Sequence, residues 1–106
     1  RFDLAVLLNL IDRVPDPAAC LAALVDRLQP GAQLIIASPY TWLTDYTPRE
    51  RWLGGRDGQS SFAALADVLG PRFRLLRRRQ IPFILREHAR KYQWSVAEGT
   101  AWQLVK

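Results

Sequence analysis

The chain has 106 residues, of which 49% are hydrophobic, and a formal net charge of +5. This apolar content is enough for one packed domain and argues against a disordered segment. No apolar run approaches the roughly 18 residues that a membrane-spanning helix needs, and no signal peptide is visible. The single cysteine, Cys20, excludes an internal disulfide bond, so the cytoplasm is the expected compartment. Because the chain starts at Arg1 directly on a predicted strand and contains no methionine, we expect it to be a fragment of a longer protein.

The first third of the chain predicts a strand, a helix and a second strand. Phe2–Leu8 is almost entirely apolar, which is typical of a parallel strand buried on both faces. Asp16 is a favourable N-cap and Pro17 a favourable first residue for the helix that follows. The apolar face of that helix consists of Leu21, Leu24, Val25 and Leu28. Pro30-Gly31 is expected to end the helix, and Gln33–Ala37 is the second buried strand. This order predicts a right-handed unit with two parallel strands.

A long aromatic-rich segment follows the second predicted strand. The stretch from Ser38 to Gly55 contains four large aromatic residues and two prolines, and it is too irregular for a helix or a strand. Loops of this length are usually functional, and in α/β sheets ligands bind beyond the carboxyl ends of the strands. Ser61 is predicted to cap a second helix, which Gly70-Pro71 ends. The apolar face of this helix consists of Phe62, Leu65, Ala66 and Leu69.

The last third predicts an antiparallel strand pair. Phe73–Arg79 is expected to be a strand with one solvated side, and Ile81–Leu85 continues it with a break or bulge at Pro82. A short helical turn is expected within Glu87–Gln93. Trp94–Val105 alternates as a last strand, antiparallel to the one before it. The predicted fold class is therefore α/β, with parallel strands and helices followed by an antiparallel strand pair.

Five basic residues form a cluster in the third predicted strand and just before it: Arg72, Arg74, Arg77, Arg78 and Arg79. Such a cluster can bind the phosphate backbone of RNA. The alternative is an ordinary solvated face of an arginine-rich domain. A basic RNA-binding module thus stays open as a function, although the cluster lies apart in sequence from most of the aromatic residues that would stack on bases.

Several segments resemble one enzyme family. The run FDLAVLLNLIDRVPDP from Phe2 resembles the fourth strand and following helix of class I S-adenosylmethionine-dependent methyltransferases. Four later segments are similar, in the same order, to the methyltransferase domain of ovothiol synthases, which methylates a ring nitrogen of mercaptohistidine. They are SPYTW from Ser38, TPRE from Thr47, WLGG from Trp52 and PFILREHARKYQ from Pro82. The resemblance implies the C-terminal half of a Rossmann-like class I methyltransferase sheet and N-methyl transfer in ovothiol biosynthesis. A methyltransferase for another small molecule is the nearest alternative.

The resemblance also implies site residues. Asn9, Leu10 and Asp12 follow the first strand, which places them beside the methionine part and the activated methyl group of S-adenosylmethionine, the implied cofactor. The alternative is that Asn9 and Asp12 only shape the turn, as short polar side chains often do.

On the acceptor side, the resemblance implies that Tyr40 and Trp42 face the substrate, where aromatic rings can stack on an imidazole. Arg86 or Arg90 is expected to bind the substrate carboxylate, and Glu87 its amino group or ring. The alternatives are loop packing for the aromatic pair and surface ion pairs for the charged residues. His88 has no nucleophile or metal-ligand partners at a recognisable spacing, so neither a catalytic base nor a metal site is expected. No catalytic residue is assigned.

The sequence departs from the subfamily pattern at Trp94 and at Gln103–Lys106, and one further departure matters most. The glycine-rich loop of the cofactor-binding first half is not present, since Gly54-Gly55 has the wrong spacing and follows no strand. Residues 1–106 are therefore expected to be a partial methyltransferase domain that is inactive alone and self-associates through its exposed first strand. The expected partners are the missing N-terminal half, a histidine-derived thiol substrate and the iron-dependent sulfoxide synthase domain typical of ovothiol synthases. Neither a membrane nor a nucleic acid is an expected partner.

Overall fold

The computed structural model describes residues 1–106 as four strands and two α-helices. The elements are β1 (Phe2–Leu8), α1 (Pro17–Val25), β2 (Leu28–Ser38), α2 (Ser61–Leu69), β3 (Phe73–His88) and β4 (Lys91–Leu104). The strands form one sheet in the order β1-β2-β4-β3, in which β1 and β2 are parallel and the other neighbours are antiparallel. This mixed sheet confirms the predicted α/β fold class. No helix has the length and apolar character needed to cross a membrane.

The strand–helix–strand order and the parallel strand pair at the start of the chain form as predicted. The Asp16 side chain accepts a hydrogen bond from the Ala19 N–H at 3.1 Å, and Pro17 is the first residue of α1. Both features stabilise the helix start, because the first N–H groups of a helix have no partner within it. α2 starts in the same way, but its cap is Ser60, which accepts from the Ala63 N–H at 3.1 Å, and not Ser61.

The boundary between α1 and β2 differs from the prediction. α1 ends at Val25, and β2 begins at Leu28, so Pro30-Gly31 lies inside a strand. The reason is pairing with β1: Leu28 is opposite Phe2, and the register then shifts before the next pair. Gly31 has a φ of 84°, which allows the chain to absorb this irregularity without steric strain.

The prediction that β1 is buried on both faces is wrong. Only Leu7 is buried, whereas Phe2, Leu4, Val6 and Leu8 are between 47% and 64% exposed. The cause is that α1 and α2 pack on the same face of the sheet, so the other face has no cover. We call this uncovered side the open face; across the three strands β1, β2 and β4 it carries Leu4, Val6, Leu8, Ile35, Ala37, Gly99 and Ala101.

The antiparallel pair is confirmed, but it is longer and more regular than predicted. The expected helical turn in Glu87–Gln93 is wrong, because Arg86 pairs with Tyr92 and the chain reverses at residues 89–90. The expected break at Pro82 is also wrong: Pro82 pairs with Val96 inside a continuous strand. A proline is tolerated there because β3 is an edge strand, whose outward N–H positions have no partner.

The core lies between the helices and the covered face of the sheet. Leu34 and Ile36 of β2 are completely buried, and Leu21 of α1 and Leu65 of α2 are each 1% exposed. Phe62 of α2 stacks on Trp102 of β4, with ring centroids 6.3 Å apart. This packing fixes the position of the loops that leave the carboxyl ends of β1 and β2.

Candidate functional site

A cleft lies at the carboxyl ends of β1 and β2, where the far part of the β3–β4 hairpin passes close to the two loops. Its volume is about 260 Å³. The lining is mostly polar and comes from three parts of the chain: Asn9, Asp12 and Arg13 after β1, Pro39 and Thr41 after β2, and Phe83, Leu85, Gln93 and Ser95 on the hairpin. In open α/β sheets this edge is where ligands bind. We refer to it as the strand-end cleft.

Asn9 ends β1 and stands at the rim of the strand-end cleft. Its N–H donates to the Ala37 carbonyl at 2.8 Å, and its φ of 53° turns the chain out of the sheet. Asparagine adopts this left-handed conformation more readily than most residues. The Asn9 side chain is exposed and makes no hydrogen bond within the chain, so its amide is available to a ligand. Leu10 is 42% exposed and does not line the cleft.

Asp12 is buried and already partnered. It is 2% exposed, and its Oδ2 accepts a hydrogen bond from the Thr41 N–H at 2.9 Å. Arg13 approaches the same oxygen at 3.4 Å and donates to the Thr41 carbonyl at 2.7 Å. Both groups therefore fix the loop after β2 to the turn after β1. Asp12 lines the strand-end cleft, but much of its hydrogen-bonding capacity is used within the chain.

Tyr40 points to the covered face of the sheet and not into the strand-end cleft. Its φ is 55°, its N–H donates to Ser38 Oγ at 3.0 Å, and its hydroxyl donates to Glu98 Oε1 at 2.9 Å. Burial raises the pKa of Tyr40 above its ordinary value, and the hydrogen bond and negative charge of Glu98 raise it further. The phenol is thus held in its protonated form as a donor.

Glu98 is a buried carboxylate that receives three side-chain hydrogen bonds. Besides Tyr40, Arg78 Nε and Gln80 Nε2 each donate to its Oε2 at 2.7 Å. The Arg78 guanidinium lies 3.8 Å from the centre of the Phe62 ring. A charge at 5% exposure is tolerated only with such partners. Sequence reasoning missed this group, although the alternation of β4 places Glu98 on the same side as the buried Trp102.

Trp42 is part of the core. It is 8% exposed, and its indole N–H donates to Ser61 Oγ at 2.9 Å. Gly55 packs against the indole, since a Cβ at this glycine would lie 2.9 Å from Trp42 Cδ1. Trp42 therefore fastens the aromatic-rich loop to the start of α2. Neither Tyr40 nor Trp42 lines the strand-end cleft. Their substrate-facing roles therefore stay predictions.

The rest of the aromatic-rich loop is also fixed by internal hydrogen bonds. Thr47 is fully buried, and its hydroxyl donates to the Val14 carbonyl at 2.6 Å. The Trp52 indole N–H donates to the Thr47 carbonyl at 2.9 Å. These hydrogen bonds therefore hold the loop in a defined conformation.

Arg86 and Glu87 are exposed near the tip of the hairpin, beyond Leu85. Glu87 Oε2 lies 3.1 Å from Lys91 Nζ, and Arg86 Nε donates to the His88 carbonyl at 3.4 Å. Neither side chain lines the strand-end cleft. His88 Nδ1 accepts from the Arg90 N–H at 3.2 Å, which gives the imidazole a role in the turn.

The hairpin contributes four cleft residues that the sequence did not identify. Phe83 is opposite Ser95 and Leu85 is opposite Gln93, so two cross-strand pairs form one wall. This wall offers one aromatic ring, one aliphatic surface, one amide and one hydroxyl group. Such a combination can hold a flat heteroaromatic ring and orient its nitrogen atoms.

The arginine cluster is divided between the two faces of β3. Arg78 is on the covered face with Glu98, whereas Arg77 and Arg79 are on the open face beside Leu8. Arg74 donates to the Gln103 side chain at 2.7 Å. Arg74 is opposite Gln103 and therefore shares the open face with Arg77 and Arg79, so the strand alternation removes only Arg78 from this basic surface. No group of three or more His, Cys, Asp or Glu side chains is placed to hold a metal ion.

Comparison with known proteins supports the fold. No family model matches the chain, and no curated protein sequence matches it. A SAM-dependent methyltransferase from Methanosarcina mazei is similar in structure, with a TM-score of 0.62 and 21% identity over 98% of this chain and 59% of its own. A structure that concerns the conversion of a disulfide bond into a thioacetal group during echinomycin biosynthesis gives a TM-score of 0.67 and 14% identity, over 99% of this chain and 50% of its own.

These similarities show that the chain has a class I methyltransferase-like fold, as the sequence predicted. They also show that it spans only half to about three fifths of the solved structures that it matches.

Proposed function

We propose that this chain forms the acceptor side of an S-adenosylmethionine-dependent methyltransferase. The observation that carries the proposal is the strand-end cleft, which combines the turn after β1 with a wall from the β3–β4 hairpin. The methyltransferase-like fold supports it, because in such sheets the crevice beyond the strand ends holds the ligands.

The residues after β1 fit one end of the proposed cofactor. Asn9 presents a free amide at the rim, and Leu10 offers exposed apolar surface next to it. Asp12 acts by holding the Thr41 N–H, and its negative charge is balanced by Arg13 in the same cleft. S-adenosylmethionine, when bound, supplies an electrophilic methyl group. Groups for its ribose and adenine are not among the residues that line the strand-end cleft, so we propose that another polypeptide segment supplies them.

For the acceptor we propose mercaptohistidine, with methylation of a ring nitrogen as in ovothiol biosynthesis. The sequence resemblance and the hairpin wall support this choice. Phe83 can pack on the imidazole ring, and Gln93 and Ser95 can hydrogen-bond its ring nitrogens and so select the tautomer. A neutral imidazole nitrogen is nucleophilic without a strong base, so orientation is the main task of these side chains.

The charged residues of the hairpin would bind the amino-acid part of this substrate. Arg86 and Glu87 directly follow the cleft residue Leu85, so a substrate that extends from the cleft along the hairpin would meet them. Arg86 would pair with the carboxylate and Glu87 with the amino group. Tyr40 and Trp42 would contact only a part of the substrate that reaches beyond the strand-end cleft.

The missing donor side is proposed to join at β1. This strand pairs with β2 only, so its other edge has free N–H and C=O groups that a further parallel strand can use. We further propose a cytoplasmic enzyme, consistent with one unpaired cysteine, in the same protein as an iron-dependent sulfoxide synthase domain.

The decisive experiment measures cofactor binding and methyl transfer separately. S-adenosylhomocysteine is titrated by calorimetry into this chain and into a protein in which a glycine-rich strand-loop segment precedes it. Binding is expected only in the second case, and tight binding by the 106 residues alone would contradict the placement of the donor site. Transfer of a labelled methyl group is then compared for mercaptohistidine and histidine. Equal rates would refute the mercaptohistidine assignment but leave the methyltransferase proposal intact.

RNA binding remains the second candidate, because Arg74, Arg77 and Arg79 share the open face of β3. Arg78 does not contribute to this surface, since Glu98 binds it on the other face. Binding of single-stranded RNA that weakens steeply with salt would be needed to support it.

A further inference from the structure

Arg13 is the only positively charged residue that lines the strand-end cleft. Of the nine lining residues, Arg13 and Asp12 alone have charged side chains. The guanidinium group is held by the loops after β1 and β2, since its Nη1 donates to the Asp12 carbonyl at 3.0 Å and to the Thr41 carbonyl at 2.7 Å. The Arg13 Cζ atom also lies 5.0 Å from the centre of the Tyr46 ring. The position of the guanidinium group is therefore fixed before any ligand binds.

The contacts of Arg13 use a single nitrogen atom of the guanidinium group. Two of the five N–H donors of an arginine are on Nη1. The two carbonyl groups take both of these donors, and the Asp12 carboxylate lies 3.4 Å from the same nitrogen. Nε and Nη2 donate to no group in the chain, and neither atom is sealed from solvent. One complete edge of the guanidinium group is thus available to a ligand.

The place of Arg13 distinguishes it from the other arginines. Several arginines have free donors, so free N–H groups alone do not mark a site. Arg49 and Arg90, for example, are exposed and do not line the strand-end cleft. Arg13 both lines the cleft and is fixed by the surrounding loops. A side chain that is fixed in advance loses less conformational entropy when it binds a ligand.

We propose that Arg13 is the anion-binding residue of the strand-end cleft and that it selects acceptors with a negative group close to the methylated ring. The Nε–H and one Nη2–H are parallel, which suits bidentate binding of an anion. Mercaptohistidine has two such groups: its carboxylate, and its ring thiol, whose thiolate form a neighbouring arginine favours. Arg13 can act in this way only if the acceptor lies in the cleft, so this role rests on the function proposed for the chain.

Asp12 orients Arg13 and leaves the free edge open. Its Oδ2 accepts from the Thr41 N–H at 2.9 Å and lies 3.4 Å from Nη1, the nitrogen that already binds the loop. Because the two side chains together are neutral, long-range attraction of an anion is weak. Binding then depends on short, directed hydrogen bonds from the free edge. Lysine at this position would keep the charge but lose the planar fork that provides these bonds.

The surroundings of Arg13 favour the acceptor as the source of the anion. Thr41, which fixes Arg13, lines the same cleft as Phe83 and Gln93, the residues proposed to hold the acceptor ring. The carboxylate of the methionine part of the cofactor is the other anion that could reach this cleft. Measuring cofactor and acceptor binding separately distinguishes the two sources.

The test uses three ligands that differ by one group each. Histamine has the imidazole ring and the amino group, histidine adds the carboxylate, and mercaptohistidine adds the thiol. Calorimetry measures their binding to a protein that also contains the donor side, saturated with S-adenosylhomocysteine. Arg13→Lys should weaken one step of this series about tenfold, because hydrogen bonds to charged groups are strong. The step from histamine to histidine is affected if Arg13 binds the carboxylate, and the step from histidine to mercaptohistidine if it binds the thiolate.

A matched variant and the smallest ligand serve as controls. Arg49→Lys makes the same change at an exposed position outside the cleft and should leave both steps unchanged. The histamine affinity and the melting temperature of Arg13→Lys should equal those of the unmodified protein, which shows that the cleft is intact.

Four results would overturn the role of Arg13. Both steps would be unchanged in Arg13→Lys, or all three ligands would lose affinity equally, which would mean that Arg13 only holds the loop. A loss of affinity for S-adenosylhomocysteine instead would place the anion on the cofactor. If the unmodified protein binds S-adenosylhomocysteine but not mercaptohistidine, the role of Arg13 is refuted while the methyltransferase proposal stands.

Discussion

The hydroxyl group of Tyr40 donates a 2.9 Å hydrogen bond to the buried carboxylate of Glu98, which joins the loop after β2 to the middle of β4. Tyr40 has a left-handed backbone conformation, and two hydrogen bonds help to hold it: its N–H donates to Ser38 Oγ and its hydroxyl to Glu98. The bond to Glu98 also places a negative charge under the loop that borders the strand-end cleft.

Tyr40→Phe is expected to lower the free energy of unfolding by about 1–3 kcal/mol, because it removes a donor from a buried charged acceptor. Urea unfolding followed by fluorescence measures the change. Tyr46→Phe is the matched control, since the Tyr46 side chain is half exposed and its contact with Arg13 involves the ring. Equal losses in the two variants would contradict the importance of the Tyr40–Glu98 bond.

The same pair predicts a pH dependence at alkaline pH. The pKa of Tyr40 is raised in the folded state by burial and by Glu98, so the folded protein keeps this proton when the unfolded chain has lost it. The contribution is complete below the ordinary tyrosine pKa of about 10 and is lost as the pH rises above that value. Unfolding free energies measured from about pH 9 to about pH 11 should fall more steeply for the unmodified chain than for Tyr40→Phe. Parallel curves would exclude the raised pKa.

Glu98→Gln tests the carboxylate itself. It leaves Arg78 without its ion-pair partner in a partly buried place, so a loss of about 2 kcal/mol is expected. Glu87→Gln makes the same chemical change in an exposed pair with Lys91 and should cost at most about 0.5 kcal/mol. Thermal and urea unfolding of both variants measure the difference. A larger loss for Glu87→Gln would reverse our ranking of the two ion pairs.

Gly55→Ala tests how the aromatic-rich loop is held against Trp42. The new Cβ would lie 2.9 Å from the indole, at a φ of 69°, so a loss of about 2–4 kcal/mol is expected from a clash added to backbone strain. Gly58→Ala has a similar φ of 75° and open space, so about 1 kcal/mol of strain alone is expected. The difference between the two unfolding free energies therefore measures the effect of packing against Trp42. Similar values would show that this contact does not contribute to stability.

The hairpin wall predicts an effect on activity without an effect on folding. In a protein that also contains the donor side, Gln93→Leu should lower kcat/KM for methyl transfer to mercaptohistidine about tenfold, through loss of a hydrogen bond that orients the acceptor. The melting temperature should stay unchanged, because Gln93 is exposed. Ile84→Ala, on the opposite side of the same hairpin, is the control that should keep full activity.

Local signals in the sequence predicted the first half of the fold well. The cap at Asp16, the proline at position 17 and the apolar run of β1 all depend on neighbouring residues, and the parallel pair follows from them. The errors arise where distant pairing decides. The sequence predicted a helical turn in Glu87–Gln93 and a start of β2 at Gln33, later than the observed Leu28. Both predictions are wrong because the strand partners of these residues lie elsewhere in the chain.

The same distinction applies to the strand-end cleft. Asn9 and Asp12 line the cleft at the end of the first strand, and that position follows from the strand itself; their role beside the cofactor stays a prediction. The hairpin wall was missed, since Phe83 and Gln93 reach the cleft only through the register of β3 with β4. Glu98 could have been found from the inward alternation of β4, but its donors Tyr40 and Arg78 could not.

The position of β4 has a consequence for the order of folding. β4 is the last strand described, yet it lies between β2 and β3, so the edge of β2 that faces β4 has no strand partner until residues 98–103 have been synthesised. During translation β3 can pair with β4 as soon as the residues after the turn at 89–90 emerge, whereas the free edge of β2 must wait unpaired for the far half of β4. The time spent in that state, rather than the stability of the finished sheet, would then determine how much of the newly made protein needs a chaperone.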